Sequence, residues 1–157
     1  MVKKASLILL IIISAFLFAS CSYTLEVDGF DLIDIEWANA KDFSEGLAAV
    51  KKGDLWGFID ESGNVVIEPQ YQAVGSFSEG LAAVQTNYGW GYIDTTGKLV
   101  IEQNFEAAGK FSEGLASVMS DYKYGFINTS GEWVINPVFS FVYAFNDGVA
   151  RVESNDN

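Results

Sequence analysis

The acidic side chains that could do chemistry recur at a fixed step. Glu45, Glu79 and Glu113 lie 34 residues apart, and Asp60 and Asp94 keep the same step. A pair of carboxylates, one as acid and one as base, is the minimal machinery of a glycosidase. Catalysis needs one distinctive site, however, and an acid present once per repeat reads as a turn or surface residue. The chain has 0 histidines, which removes the usual general base, the Ser-His-Asp triad and the commonest zinc ligand. There is no Gly-rich phosphate loop, and Gly97-Lys98 lacks the rest of a P-loop. Stacked repeats could bring Asp60, Asp94 and the three glutamates into ladders of oxygen ligands for calcium. No loop has the D-x-D-x-D-G alternation, so the preferred reading is that the aspartates cap turns and the glutamates are solvated. The expectation is no catalysis, no metal and no cofactor.

Aromatic residues form two further columns at the repeat step: Trp56, Trp90 and Tyr124, and Tyr71, Phe105 and Phe139. Exposed, they would make a platform for sugars or a partner chain. Buried, they are core between repeats, which is the preferred reading for Trp56 and Trp90.

These residues must be positioned by the repeats themselves. FSEGLAAV begins at Phe43 and at Phe77, FSEGLASV at Phe111, and the weaker FNDGVARV at Phe145. A second marker runs in phase: Trp56-Gly57-Phe58-Ile59-Asp60, Trp90-Gly91-Tyr92-Ile93-Asp94 and Tyr124-Gly125-Phe126-Ile127-Asn128. A period of 34 also suits helix-pair repeats. Interior glycines at fixed places, such as Gly46, Gly57 and Gly63, each cost a helix about 1 kcal/mol relative to Ala. The apolar positions fit short β runs instead.

The expected fold is therefore all-β, with three short antiparallel strands per repeat in an open twisted array. The first strands are Leu47–Lys51, Leu81–Thr86, Leu115–Ser120 and Val149–Glu153. The second are Trp56–Asp60, Trp90–Asp94 and Tyr124–Asn128, and the third are Val65–Glu68, Leu99–Glu102 and Trp133–Asn136. Asp or Asn at the first turn position bonds the backbone two residues on, and Gly at the fourth takes positive φ. Glu68-Pro69 and Asn136-Pro137 are expected to stop the ladder. On the first strand, Ala48, Val50 and their counterparts stay small and apolar, which marks a buried face. The other face drifts through Ala49, Ala83, Ser117 and Arg151 and is expected to meet solvent or a rim. Both sides of the second strand are apolar, so part of its aromatic column must pack on a neighbouring repeat.

Shifting the sequence by one period lays Gly29 on Gly63, Ile33 on Ile67 and Trp37 on Tyr71. Tyr23 to Asp42 thus reads as a worn first repeat, as terminal repeats often do. Pairing of Thr24–Val27 with Val149–Glu153 would close a ring of four units, the alternative to an open array.

Residues 1–20 stand apart from this domain. Lys3-Lys4 precedes an almost unbroken apolar run from Ala5 to Phe18, a length that suits a signal-peptide core and is short for a membrane span. Phe18-Ala19-Ser20-Cys21 resembles the lipobox of bacterial lipoproteins, with Phe18 where that family usually has Leu. The resemblance implies cleavage before Cys21 and acylation of it, and Ser22 leans toward the outer membrane of a Gram-negative cell. Cys21 is the 1 cysteine of the chain, so no internal disulfide can form. Two or three acyl chains make a stable anchor. The domain division is then 1–20 signal peptide, 21–42 lipidated N-terminus and degenerate repeat, and 43–157 repeat domain. The net charge of −12 repels phosphate backbones, so nucleic acid is not an expected partner.

With these markers in phase, Leu55 to Val84 resembles the WG-repeat family of bacterial envelope proteins. Its units read roughly KWGFID-x-x-G-x-x-VI-x-P-x-Y-x-x-x-x-x-FSEGLA-x-V. The later copies match with losses: Tyr124 for the signature Trp, Gln103 for Pro, and Asn146-Asp147 for Ser-Glu. The resemblance implies an all-β repeat domain on secreted or anchored proteins. The functional expectation is a membrane-anchored, extracytoplasmic binding or scaffolding module for an envelope protein, with a carbohydrate- or peptidoglycan-binding module as the alternative and a carboxylate glycosidase as a remote one.

Overall fold

The computed structural model describes residues 37–154. The signal segment, Cys21 and Thr24–Val27 lie outside the described residues. Among the described residues fourteen strands follow one another, and none of these residues is helical. The first sheet runs β1 (Asn39–Ala40), β2 (Leu47–Lys52), β3 (Leu55–Asp60) and β4 (Val65–Tyr71). The second comprises β5 (Ala73–Val74), β6 (Leu81–Thr86), β7 (Gly89–Asp94) and β8 (Leu99–Phe105). The third comprises β9 (Ala107–Ala108), β10 (Leu115–Ser120), β11 (Lys123–Asn128) and β12 (Trp133–Phe139). A fourth pairs β13 (Phe141–Val142) with β14 (Val152–Glu153). All described pairings are antiparallel, and each sheet is a meander with neighbours in chain order. Among the described residues the four sheets stand in tandem and close into no barrel.

Each sheet has a strand that was not expected. The two-residue strands β1, β5, β9 and β13 pair with the first strand of the following repeat. A single residue, Gln72, separates β4 from β5, and its N–H already bonds the carbonyl of Gln85 in the next sheet at 2.9 Å. The chain passes between sheets at this bend.

The third strands also run further than expected. β4 continues through Pro69 to Tyr71 instead of stopping at Glu68-Pro69, and β12 continues through Pro137 to Phe139. Two features make this possible. These strands are sheet edges, where a missing N–H breaks no ladder on the open side. The register also shifts between the Trp56–Tyr71 and Phe58–Ile67 pairs, so Glu68 to Gln70 bulge opposite Gly57. A Cβ on Gly57 would lie 2.4 Å from the carbonyl oxygen of Ile67 and 2.6 Å from the nitrogen of Pro69. The glycine of the Trp-Gly signature is the space into which the bulge folds.

The drifting face of the first strand is a correction. Ala49 and Ala83 are as deeply buried as Ala48 and Ala82. Ala49 packs with Phe58 and Ile67 of its own sheet, and against Ala82, Val84 and Ile93 of the next. Ala83, Tyr92 and Ile101 repeat this against Ala116, Val118 and Ile127. β2 and β6 are thus buried on both faces, because sheets stack face on face, while on β10 Ser117 stays half-buried. The substitution to Arg151 is tolerated because it lies just before β14, where the side chain is exposed and bonds Glu153 at 3.0 Å.

The marker phenylalanines join the sheets. Phe77 meets Phe58 edge to face at 4.9 Å, Phe111 meets Tyr92 at 4.9 Å, and Phe126 meets Phe145 at 4.9 Å. The second-strand aromatics therefore pack on the neighbouring repeat, as their two-sided apolar pattern implied.

Candidate functional site

The acids come first, since they were the candidate chemistry. Ser44-Glu45-Gly46-Leu47 is a two-residue hairpin. The N–H of Ser44 donates to the Leu47 carbonyl at 2.9 Å, and the N–H of Leu47 donates back at 3.1 Å. Glu45 has φ 53° and Gly46 has φ 79°, the type I′ signature. Glu79 and Glu113 hold φ 56°, and Asp147 holds φ 52°. A turn with two residues at positive φ points its central N–H groups outward, where they favour an anion. The anion is the glutamate of the preceding repeat. The N–H of Glu79 donates to Glu45 Oε1 at 2.7 Å and that of Gly80 to Glu45 Oε2 at 2.9 Å. Gly114 N–H donates to Glu79 Oε2, and Gly148 N–H to Glu113 Oε2, both at 2.9 Å. Beside this ladder Ser44, Ser78 and Ser112 donate their hydroxyls to the carbonyls of Phe77, Phe111 and Phe145. The glutamate column is therefore a bonded splint between turns, and the expectation of plain solvation is corrected.

Asp60 and Asp94 cap turns. Asp60 Oδ1 accepts from the N–H groups of Ser62 and Asn64, while Oδ2 accepts from the Asn64 amide. That amide, followed by the backbone bonds, holds the Asp60 carboxyl below its usual range. Asp94 is lowered chiefly by the Thr96 hydroxyl, with the Lys98 and Thr96 N–H groups behind it. Asn128 makes the same two backbone bonds without a charge. Among the described residues no three acidic side chains converge as metal ligands would.

The aromatic columns do not form a platform. Tyr71 and Phe105 are 6% and 8% exposed and belong to the core, which corrects their place in a candidate ligand surface. Cross-strand pairing with Trp56 and Trp90 turns them inward. Burial also raises the Tyr71 hydroxyl above its ordinary value, and the effect is larger at Tyr92, which donates to the Gly109 carbonyl at 2.7 Å. Trp56, Trp90, Tyr124 and Phe139 are half-buried. Trp56 packs against the first core cluster, and Lys41 Nζ lies 5.2 Å from its ring centroid. Tyr124 contacts Phe141 edge to face.

Two exposed features were missed. Val65 and Val66 on β4, Leu99 and Val100 on β8, and Trp133 and Val134 on β12 are all exposed at the repeat step. The bulge leaves Val66 without a cross-strand partner between Ile59–Val65 and Phe58–Ile67, so both valines reach the surface. The sequence held a signal for this, since two consecutive apolar residues cannot share one face of a strand. Glu68 and Glu102, also exposed, flank this apolar column. The second feature is a pair of tyrosines at hairpin tips, Tyr88 at 85% exposure and Tyr122 at 83%.

With the signature glycine, the stacked turns and the repeat step in view, comparison with known proteins is decisive for kinship. The family model described as WG containing repeat matches residues 32–56, 56–89, 90–124 and 124–157. The chain belongs to the WG-repeat family. In the WG-repeat frame the units that begin at Trp56, Trp90 and Tyr124 open on the second strand of a sheet, with the Trp or Tyr beside its signature glycine. Tyr124-Gly125 keeps that geometry without the tryptophan, since a Cβ on Gly125 would lie 2.5 Å from the Ile135 carbonyl oxygen. No curated protein and no solved structure matches this WG-repeat chain significantly.

Proposed function

We propose that this WG-repeat protein is a binding module of the bacterial cell envelope, held to a membrane by acylation of Cys21 and facing away from the cytoplasm. The address rests on the resemblance of Phe18-Ala19-Ser20-Cys21 to a lipobox. Binding, in preference to catalysis, is supported by the use of the repeated acids: each is engaged in a turn or in the splint between turns.

The observation that carries the partner class is the exposed apolar column across β4, β8 and β12. Exposed apolar pairs at the same place on three successive sheets offer an interaction surface. The flanking Glu68 and Glu102 and the net charge of −12 make the complement a protein whose apolar patch is rimmed by Lys or Arg. The glycan reading loses the support expected from the aromatic columns, since Tyr71 and Phe105 are core.

The full chain, expressed in a bacterial host with a clickable palmitate analogue, tests both halves. Label incorporation should vanish in Cys21→Ala. Crosslinking in the same cells should capture a discrete partner that is lost from Val66→Lys/Val100→Lys/Val134→Lys at unchanged Tm. Labelling of Cys21→Ala, or an identical captured set from the triple variant, would refute the corresponding half.

A further inference from the structure

The hairpin between β6 and β7 borders an open cleft of about 540 Å³, lined among others by Gln72, Gln85, Asn87, Tyr88 and Asn104, with the carboxylate of Glu106 beside them. We infer that this cleft is a second binding site, distinct from the apolar column, and that it takes a segment of neutral oligosaccharide.

The first argument compares equivalent positions, which in a repeat protein separates what the fold needs from what it does not. Gln85 pairs with Ala73 as Lys51 pairs with Asn39 and Met119 with Ala107. One backbone position thus carries Lys, Gln or Met. At the other cleft positions Gln72 corresponds to Ala38 and Glu106, Asn87 to Gly53 and Asp121, and Asn104 to Gln70 and Val138. The scaffold accepts charge, hydrocarbon or glycine at these places. Carboxamides gather at all four in the second sheet alone. Turns, bulges and core positions repeat because every unit needs them, and this set does not repeat.

The backbone diverges here as well. At the β10–β11 tip Asp121 and Tyr122 both have positive φ, 52° and 58°. At the β6–β7 tip the positive φ falls instead on Gly89, at 120°, where a Cβ would lie 2.8 Å from the Phe105 carbonyl oxygen. The tip that carries the carboxamides therefore has its own conformation.

The chemistry of the lining then selects the ligand class. A carboxamide is both donor and acceptor, and so matches a hydroxyl, which is both as well. Gln72 Nε2 already donates to Asn87 Oδ1 at 2.6 Å, which holds two of the four in place. Tyr88 borders the cleft with 85% of its surface exposed. Its ring presents a flat apolar face, with the phenol at the rim, for the C–H face of a sugar ring. The cleft is open, which admits a chain passing through. The net charge of −12 disfavours acidic glycans and nucleotides.

The test uses the full-length chain in detergent, titrated with chitotetraose, cellotetraose and maltotetraose while side-chain amide and Tyr88 resonances are followed by NMR. At least one sugar should give saturable shifts, in the millimolar range or tighter, that include Gln72, Gln85 or Asn87. Gln85→Met/Asn87→Asp should weaken that binding at least ten-fold. Gln85 is half-buried and Asn87 exposed, so the double variant should keep its Tm. Tyr88→Ala, at an exposed tip, gives a second variant with the same expected loss. Absence of saturable shifts with all three sugars overturns the inference. So does unchanged affinity in both variants.

Discussion

Glu79 shows how one residue can be locally unfavourable and still required. At φ 56° its backbone occupies the left-handed region, which costs a residue with a Cβ roughly 1–2 kcal/mol and glycine little. The carboxylate offsets this by accepting the Gly114 N–H of the next turn at 2.9 Å. Two substitutions separate the contributions. Glu79→Ala loses the bond and keeps the strain, whereas Glu79→Gly loses the bond and the strain together. Urea unfolding should place Glu79→Ala about 1–2 kcal/mol below Glu79→Gly, with the wild type above Glu79→Ala. Equal midpoints for the two variants would show that the turn is unstrained. The sequence shows that Glu follows Ser at each marker. It does not show that the donor to this carboxylate lies one repeat later, because that depends on how turns stack.

At the scale of the element, the same marker residue has different weights at different places. Phe77 is 2% exposed and meets Phe58 edge to face, while Phe43 is 47% exposed. Phe77→Ala should cost about 3–5 kcal/mol, as large-to-small changes in a packed core do. Phe43→Ala should cost under about 1 kcal/mol. Matching losses in denaturant midpoint for the two would mean that the sheets do not pack as described. Strand limits behave in the same way. The first and second strands of three repeats were legible almost to the residue, because alternation and turn residues are local, whereas the last first strand, expected over Val149–Glu153, is only Val152–Glu153. The third strands were read short, since a proline ends a central strand but not an edge strand beside a bulge. That distinction needs the sheet order and the space left by Gly57.

For the whole molecule, acid should be the sharpest probe of the turns. The carboxyls of Asp60 and Asp94 are lowered in the folded state. The unfolded chain then binds protons more readily, so stability rises with pH in this range. Their contribution is complete above the unfolded value of about 3.9 and is lost as pH falls through the lowered folded values. Tm should therefore stay level from about pH 7 to about pH 5 and drop below about pH 4. Asp60→Asn/Asp94→Asn, which copies the neutral cap made by Asn128, should flatten the drop. An identical acid limb in the double variant would assign the loss to other groups. The cap itself was legible from Asp at the first turn position, and its electrostatic consequence follows from the bonds counted in the structure.

By itself the sequence determined the repeat step, the all-β class, the hairpins between first and second strands and the Asp-capped turns. Each of these is written in residues close together along the chain: alternation, a turn residue, a glycine at the right offset. Only the tertiary structure decided what lies beyond one sheet. It buried Ala49 and Ala83 on the face that had looked open, drew Tyr71 and Phe105 out of the candidate ligand surface, and bonded the glutamates into a splint. It also left Val66, Val100 and Tyr88 outside. The physical reason is common to all of these. Burial is a property of what covers a face, and here the cover is the neighbouring sheet, a full repeat away in the chain.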